Sequence, residues 1–73
     1  ARRGAAVRRA ELRPGELVFF DFSGDRRSDH VGIYLSEGRF AHASRSAGVV
    51  VSKLKGRGYR AHYRGARRLL SYP

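Results

Sequence analysis

Cysteine is absent from the 73 residues, and only six residues are acidic. The first absence excludes disulfides, thiolate zinc sites and a cysteine nucleophile supplied by these residues. No apolar run reaches the roughly 18 residues needed to span a membrane, and no signal-peptide pattern opens the sequence. There is no internal repeat and no low-complexity linker. No block of five or six uninterrupted like charges occurs, so a basic arm of the usual kind is not expected.

What is present is arginine. Sixteen Lys and Arg against six Asp and Glu give a formal net charge of +10, and fourteen of the sixteen are Arg. Seven of the cations fall between Lys53 and Arg68, and four more lie in Ala1–Arg9. Such a balance favours contact with polyanions such as nucleic acid or anionic cell-wall polymer, but an Arg-rich choice of solvated residues accounts for it as well. Apolar residues make up 41% of the chain, too many for a disordered basic tail. Nine of those thirty are Ala, which leaves twenty-one larger side chains for a core. The length allows one small domain, of a size that buries only about 60% of its unfolded surface.

Ala1–Glu11 reads as the fraying end of a helix followed by a connector. Pro14-Gly15 is a turn, and Arg13 before it is pushed towards an extended conformation. Leu17-Val-Phe-Phe-Asp-Phe22 follows, aromatic and β-favouring, and reads as a buried strand. After a polar loop at Ser23–Asp29, Val31, Ile33 and Leu35 alternate with Gly32 and Tyr34 at the period of a strand. Ser36-Glu37-Gly38 closes a hairpin onto Arg39–Ala43, and Val49–Leu54 makes a further strand beyond the turn at Arg45–Gly48. Tyr59–Leu70 reads as one or two final strands of alternating bulky and basic residues. Short strands separated by four turn signals argue for a small antiparallel sheet or half-open barrel. Its apolar face needs a covering layer, yet residues 1–16 hold no amphipathic helix of useful length.

The stretch from Asp29 to Ser44 carries the chemistry. A three-residue loop with Gly38 in the left-handed position pairs Leu35 with Arg39, Tyr34 with Phe40 and Gly32 with His42. His30 then falls opposite Ser44, and His30, Gly32, Tyr34, Phe40, His42 and Ser44 share one face. The two His become diagonal neighbours, about 7–8 Å apart at the backbone, and Gly32 leaves room for the rings to lean together. A two-residue loop alone would put them on opposite faces. Two imidazoles in contact suit a base and a ring that orients it.

Other residues read as structural. His62 has no partner that can be placed and reads as a hydrogen-bonded structural His. Asp29, next to His30 in a strand, faces the other side and should not support that ring. Asp21 reaches the site only by a cross-strand placement. The two His make a poor metal site, with no Cys and no acidic ligand at helical spacing. Ser44 opposite His30 lacks the Gly-rich elbow of a serine hydrolase. Tyr34, Phe40, Tyr59 and Tyr63 between Arg residues suit base stacking, although core packing is the simpler use of such rings.

The segments Leu12-Arg-Pro-Gly-Glu-Leu-Val-Phe-Phe20, Asp29-His-Val-Gly-Ile-Tyr-Leu35, Gly38-Arg-Phe-Ala-His-Ala-Ser44, Gly48-Val-Val-Val51 and Tyr63-Arg-Gly-Ala-Arg-Arg68 occur in that order. Together, from about Leu12 to Leu70, they resemble the C-terminal half of NlpC-type cell-wall peptidases. The resemblance implies an α+β, papain-like fold in which these residues supply the antiparallel sheet (12–70) and the end of a helical half (1–11). It implies a thiol endopeptidase acting on peptidoglycan stem peptides, commonly next to D-glutamate, with no cofactor. In that scheme His30 takes the thiol proton and His42 orients its ring, with Ser44 a candidate substrate contact. The nucleophile would sit in an Asp-Cys-Ser-Gly type motif on the missing helical half, which becomes the implied partner, so these residues alone should cleave nothing. A secreted or wall-associated location also follows from the resemblance only. The competing expectation is a non-catalytic basic module holding anionic wall polymer or nucleic acid, although no specific nucleic-acid target is indicated and no membrane span is expected.

Overall fold

The alternation of apolar residues along the middle of the chain produces a twisted antiparallel sheet rather than helices. The computed structural model describes residues 5–25 and 28–68. Its strands are β1 (Ala5–Val7), β2 (Leu17–Phe20), β3 (His30–Ser36), β4 (Arg39–Ser44), β5 (Gly48–Lys53) and β6 (Tyr63–Arg68). A 3-10 turn at Arg9–Glu11 follows β1, and a single helical turn, α1 (Tyr59–His62), precedes β6. The six strands of the described residues lie in the order β1-β6-β2-β3-β4-β5, each paired antiparallel with its neighbours, so the sheet stays open with β1 and β5 as its edges.

Two local expectations are corrected. Ala5–Val7, expected at the end of a helix, pairs with β6 through Ala5–Arg68 and Val7–Ala66. Tyr59–His62, expected in a strand, is helical after Gly58, and the strand begins only at Tyr63. The expected run of that strand to Leu70 ends outside the described residues.

The two faces of the sheet differ sharply. Val18, Phe20 and Phe40 are completely buried on the inner face, joined by Leu54 and Ala66, with Val7, Leu12, Tyr34, Tyr59 and Tyr63 packed around them. Phe20 and Phe40 meet with ring centroids 5.0 Å apart, and Tyr59 of α1 presents its edge to both, at 5.6 and 5.2 Å. All four rings considered for base stacking therefore line or border the core. On the outer face Val31, Ile33, Val49 and Val51 remain about half exposed or more, at 48%, 48%, 77% and 55%.

The β3–β4 connection corrects the expected loop and keeps its consequence. Glu37 and Gly38 both have positive φ, 52° and 77°, the two-residue turn whose twist matches the flanking strands. A bulge shifts the register between Tyr34 and Ser36, so Ser36 rather than Leu35 faces Arg39 while Tyr34 still faces Phe40. The extra residue of the bulge cancels the one-residue slip that the short turn introduces. Gly38 N–H also donates to the Tyr34 hydroxyl at 2.8 Å, tying the turn to the strand.

At the other end of β2, Glu16 is buried and accepts the Arg13 N–H at 2.7 Å and the Arg68 guanidinium. Burial alone would raise its pKa, but the Arg68 and Arg13 hydrogen bonds and charges outweigh it and hold the carboxyl below its ordinary value.

Candidate active site

His30 opens β3 and His42 sits in the middle of β4, both on the inner face. His30 Nε2 and His42 Nδ1 are 2.8 Å apart, a hydrogen bond of ordinary length. The rings stand nearly perpendicular, at 84°, with centroids 4.9 Å apart. The diagonal placement expected of the hairpin thus becomes direct contact. Gly32 serves a different purpose from the one expected: a Cβ there would lie 2.6 Å from Phe40 Cδ2 and 2.9 Å from the Ala41 carbonyl oxygen. It makes room for the Phe40 ring rather than for the imidazoles.

Aromatic rings pack around the pair, with Tyr59 presenting its edge to His42 at 5.3 Å. His42 stacks on Phe40 at 4.7 Å and 28°. His30 meets Phe20 at 6.0 Å and the half-exposed Phe22 at 5.6 Å. His42 is 8% exposed. Burial first, and then the charge of His30, lower its pKa from the ordinary imidazole value. A proton arriving at the pair is therefore disfavoured on His42. His30 is only partly buried, and its Nδ1 has no hydrogen-bond partner among the described residues.

The other nitrogen of His42 is also engaged. Its Nε2 lies 2.8 Å from Ser52 Oγ and 3.5 Å from the Tyr59 hydroxyl. Ser52 was not singled out from the sequence, and Tyr59 only as a ring for base stacking or core packing. Ser52 was in reach of the same counting that places His42: β5 returns from Gly48 with Phe40 facing Ser52 and His42 facing Val50, so Ser52 lies one diagonal step from His42. Tyr59 had no such cue, because α1 places it from outside the sheet.

The remaining candidates lie apart from the pair. Ser44 Oγ accepts the Ala47 N–H at 3.2 Å in the β4–β5 turn. Asp29 accepts the N–H groups of Phe22 and Ser23, both at 2.9 Å, and so braces the loop that carries Phe22. The Phe22 N–H, opposed by desolvation and joined by Ser23, holds the Asp29 carboxyl below its ordinary pKa. Asp21 turns its carboxylate to Ser23 Oγ and the Gly24 N–H. His62 does have a partner: its Nδ1–H donates to the Asp21 carbonyl at 3.0 Å, and its ring packs on Phe22 at 4.8 Å. That backbone contact fits its expected structural role. No group of three or more metal-ligating side chains is found among the described residues, and no helix among them is long and apolar enough to cross a membrane.

Known proteins share this arrangement of sequence and fold. The chain is 43% identical over 68 residues to the Escherichia coli K12 protein named murein DD-endopeptidase MepS/murein LD-carboxypeptidase, covering 93% of this chain and 35% of that protein. It is 37% identical over 71 residues to murein DD-endopeptidase MepH of the same organism, covering 96% and 26%. Among solved structures, an NlpC/P60 family protein from Bacillus cereus superposes with a TM-score of 0.82 at 33% identity, covering 94% of this chain and 23% of that one. The peptidoglycan hydrolase RipB of Mycobacterium tuberculosis gives 0.68 at 34% identity, covering 94% and 32%. The chain thus spans about a third or less of the length of these relatives. The NlpC/P60 family model matches residues 1–68, and the chain belongs to the NlpC/P60 family.

Proposed function

We propose that these residues are the base-bearing half of a thiol endopeptidase that cuts amide bonds in peptidoglycan stem peptides. The observation that carries the reading is the His30–His42 contact, in which a buried ring kept neutral supports a more open ring whose second nitrogen is unengaged among the described residues. The names of the relatives, murein endopeptidases and a peptidoglycan hydrolase, supply the substrate class.

In this reading a thiol reaches His30 Nδ1 from a cysteine-bearing helical part of the same domain, since residues 1–73 contain no Cys. His30 takes the thiol proton, and its Nε2–H donates to His42 Nδ1. The thiolate forms a C–S bond to the amide carbonyl carbon, and backbone N–H groups near the cysteine stabilise the oxyanion. His30 returns the proton to the leaving amine as the C–N bond breaks. Water then hydrolyses the thioester with His30 again as base. The scissile bond is next to D-glutamate, and Ser44, two residues along β4 from His42, borders the substrate. No cofactor is needed. The reading puts the protein outside the cytoplasmic membrane, at the cell wall where stem peptides occur.

The test compares muropeptide hydrolysis by residues 1–73 alone with hydrolysis by the protein in which they adjoin a cysteine-bearing helical segment. The expected result is no turnover by the former and turnover by the latter that iodoacetamide abolishes. Hydrolysis by residues 1–73 alone would overturn the reading.

A further inference from the structure

The proposed base depends on which nitrogen of each ring carries hydrogen, and the structure places one side chain where it controls that choice. His42 Nε2 faces Ser52 Oγ at 2.8 Å, whereas the Tyr59 hydroxyl lies at the long limit of 3.5 Å. We propose that Ser52 is a positioning residue that accepts the His42 Nε2–H and so leaves the His42 Nδ1 lone pair for His30. The inference rests on the His30-as-base reading above and deepens it.

Once His30 has taken a proton at Nδ1, both of its nitrogens carry hydrogen, and its Nε2–H must donate to His42 Nδ1. Neutral His42 must then carry its own hydrogen on Nε2, deep in the site at 8% exposure. A buried N–H without an acceptor is costly, and Ser52 Oγ is the acceptor at full hydrogen-bond distance among the described residues. In the neutral pair either tautomer is allowed, because a serine hydroxyl can donate or accept. Ser52 therefore matters more to the charged state of the pair than to the neutral one.

The surroundings leave few competing charges. Among the described residues, the titratable groups facing His42 are His30 from β3 and Tyr59 from α1; Phe40 of β4 covers the ring face. Around His30 stand Phe20 and Phe22, with His62 on the far side of Phe22. The Asp21 and Asp29 carboxylates bond to the 22–24 loop. The acceptor role is thus assigned to a neutral hydroxyl rather than to a carboxylate.

Imidazole nitrogen chemical shifts, followed by long-range 1H–15N NMR of the 15N-labelled full chain across the histidine titration, test this directly. In the wild type, His42 should carry its hydrogen on Nε2 wherever the pair holds one proton, and the pair should take up that first proton as a coupled unit. Ser52→Ala should lower the affinity for that proton about three- to tenfold and mix the His42 tautomers. Ser52→Cys, of similar volume but a weak acceptor, should do the same, while Ser52→Thr should restore the wild-type titration. Unchanged tautomer and titration in Ser52→Ala or Ser52→Cys, with the amide spectrum intact, would overturn the role of Ser52 and leave the His30–His42 reading standing. Two rings that titrate independently in the wild type would overturn both.

Discussion

The inner and outer faces of the same four strands, β2 to β5, both carry apolar side chains and have opposite fates. Inside, Phe20, Phe40 and Val18 are fully buried, and the polar groups among them, His30, His42, Ser52 and Tyr59, are joined by hydrogen bonds. Outside, Val31, Ile33, Val49 and Val51 stand in the open, with Leu17, Ala41 and Ala43 flooring a shallow apolar depression between them. Period-2 alternation decides which residues share a face and says nothing about which face finds a cover. Aromatic volume decides that here, because α1 can close over a face that presents Phe20 and Phe40. The contrast is that of a sheet whose chemistry is organised on one side and whose other side leaves its apolar side chains exposed.

The largest expected break of this contrast is truncation of the inner aromatics. Phe20→Ala or Phe40→Ala should cost about 3–5 kcal/mol, enough to unfold a domain of this size. Val49→Ala on the outer face should change stability by less than about 0.5 kcal/mol. Urea denaturation followed by circular dichroism compares them, and equal losses on the two faces would contradict the burial pattern. Next comes Gly32→Ala. Its new methyl would meet the Phe40 ring and the Ala41 carbonyl, so an overpacking loss of about 1–3 kcal/mol is expected in the same assay.

Acid should reveal the inner face as well. Neutral His42 is the folded form, held so by burial and then by the charge of His30. An unfolded chain, with its imidazole at the ordinary 6.5, binds that proton first as the pH falls. The His42 contribution is therefore complete above about pH 6.5 and is lost as the pH drops below it. The Glu16 contribution runs in a separate, lower window, complete above the ordinary carboxyl value of 4.5 and lost as the pH falls through its depressed folded value. Denaturation midpoints between pH 7 and 5 should fall for the wild type and flatten for His42→Gln. The smallest effect belongs to the hairpin turn: Glu37 has φ 52°, a strained value for a side-chain-bearing residue. Glu37→Gly should gain about 0.4–1 kcal/mol if relief of that strain exceeds the added freedom of the unfolded chain, which thermal melts can resolve.

Much of β2 to β5 was legible in the sequence because alternation and Gly-marked turns agree there. The shared face of His30 and His42 was legible too, although through a loop of the wrong length, because a two-residue turn plus a bulge and a three-residue loop carry the chain to the same register. The ends were less legible. Ala5–Val7 is too small and too short to show a period, and only its pairing with β6 makes it a strand. Tyr59–His62 reads as bulky and basic residues in alternation, and four residues cannot separate one helical turn from a strand. Ser52 was hidden for another reason. A serine in a valine-rich strand has no chemistry of its own until β4 brings His42 beside it.

The central claim is that His30 is the group that takes a thiol proton. The most direct measurement is the rate of iodoacetamide alkylation against pH for the proposed nucleophilic cysteine, in the wild type and in His30→Ala. The account predicts a thiolate in the wild type well below the ordinary thiol value of about 8.5, and a return towards that value in the variant. The same alkylation profile in both proteins would contradict it.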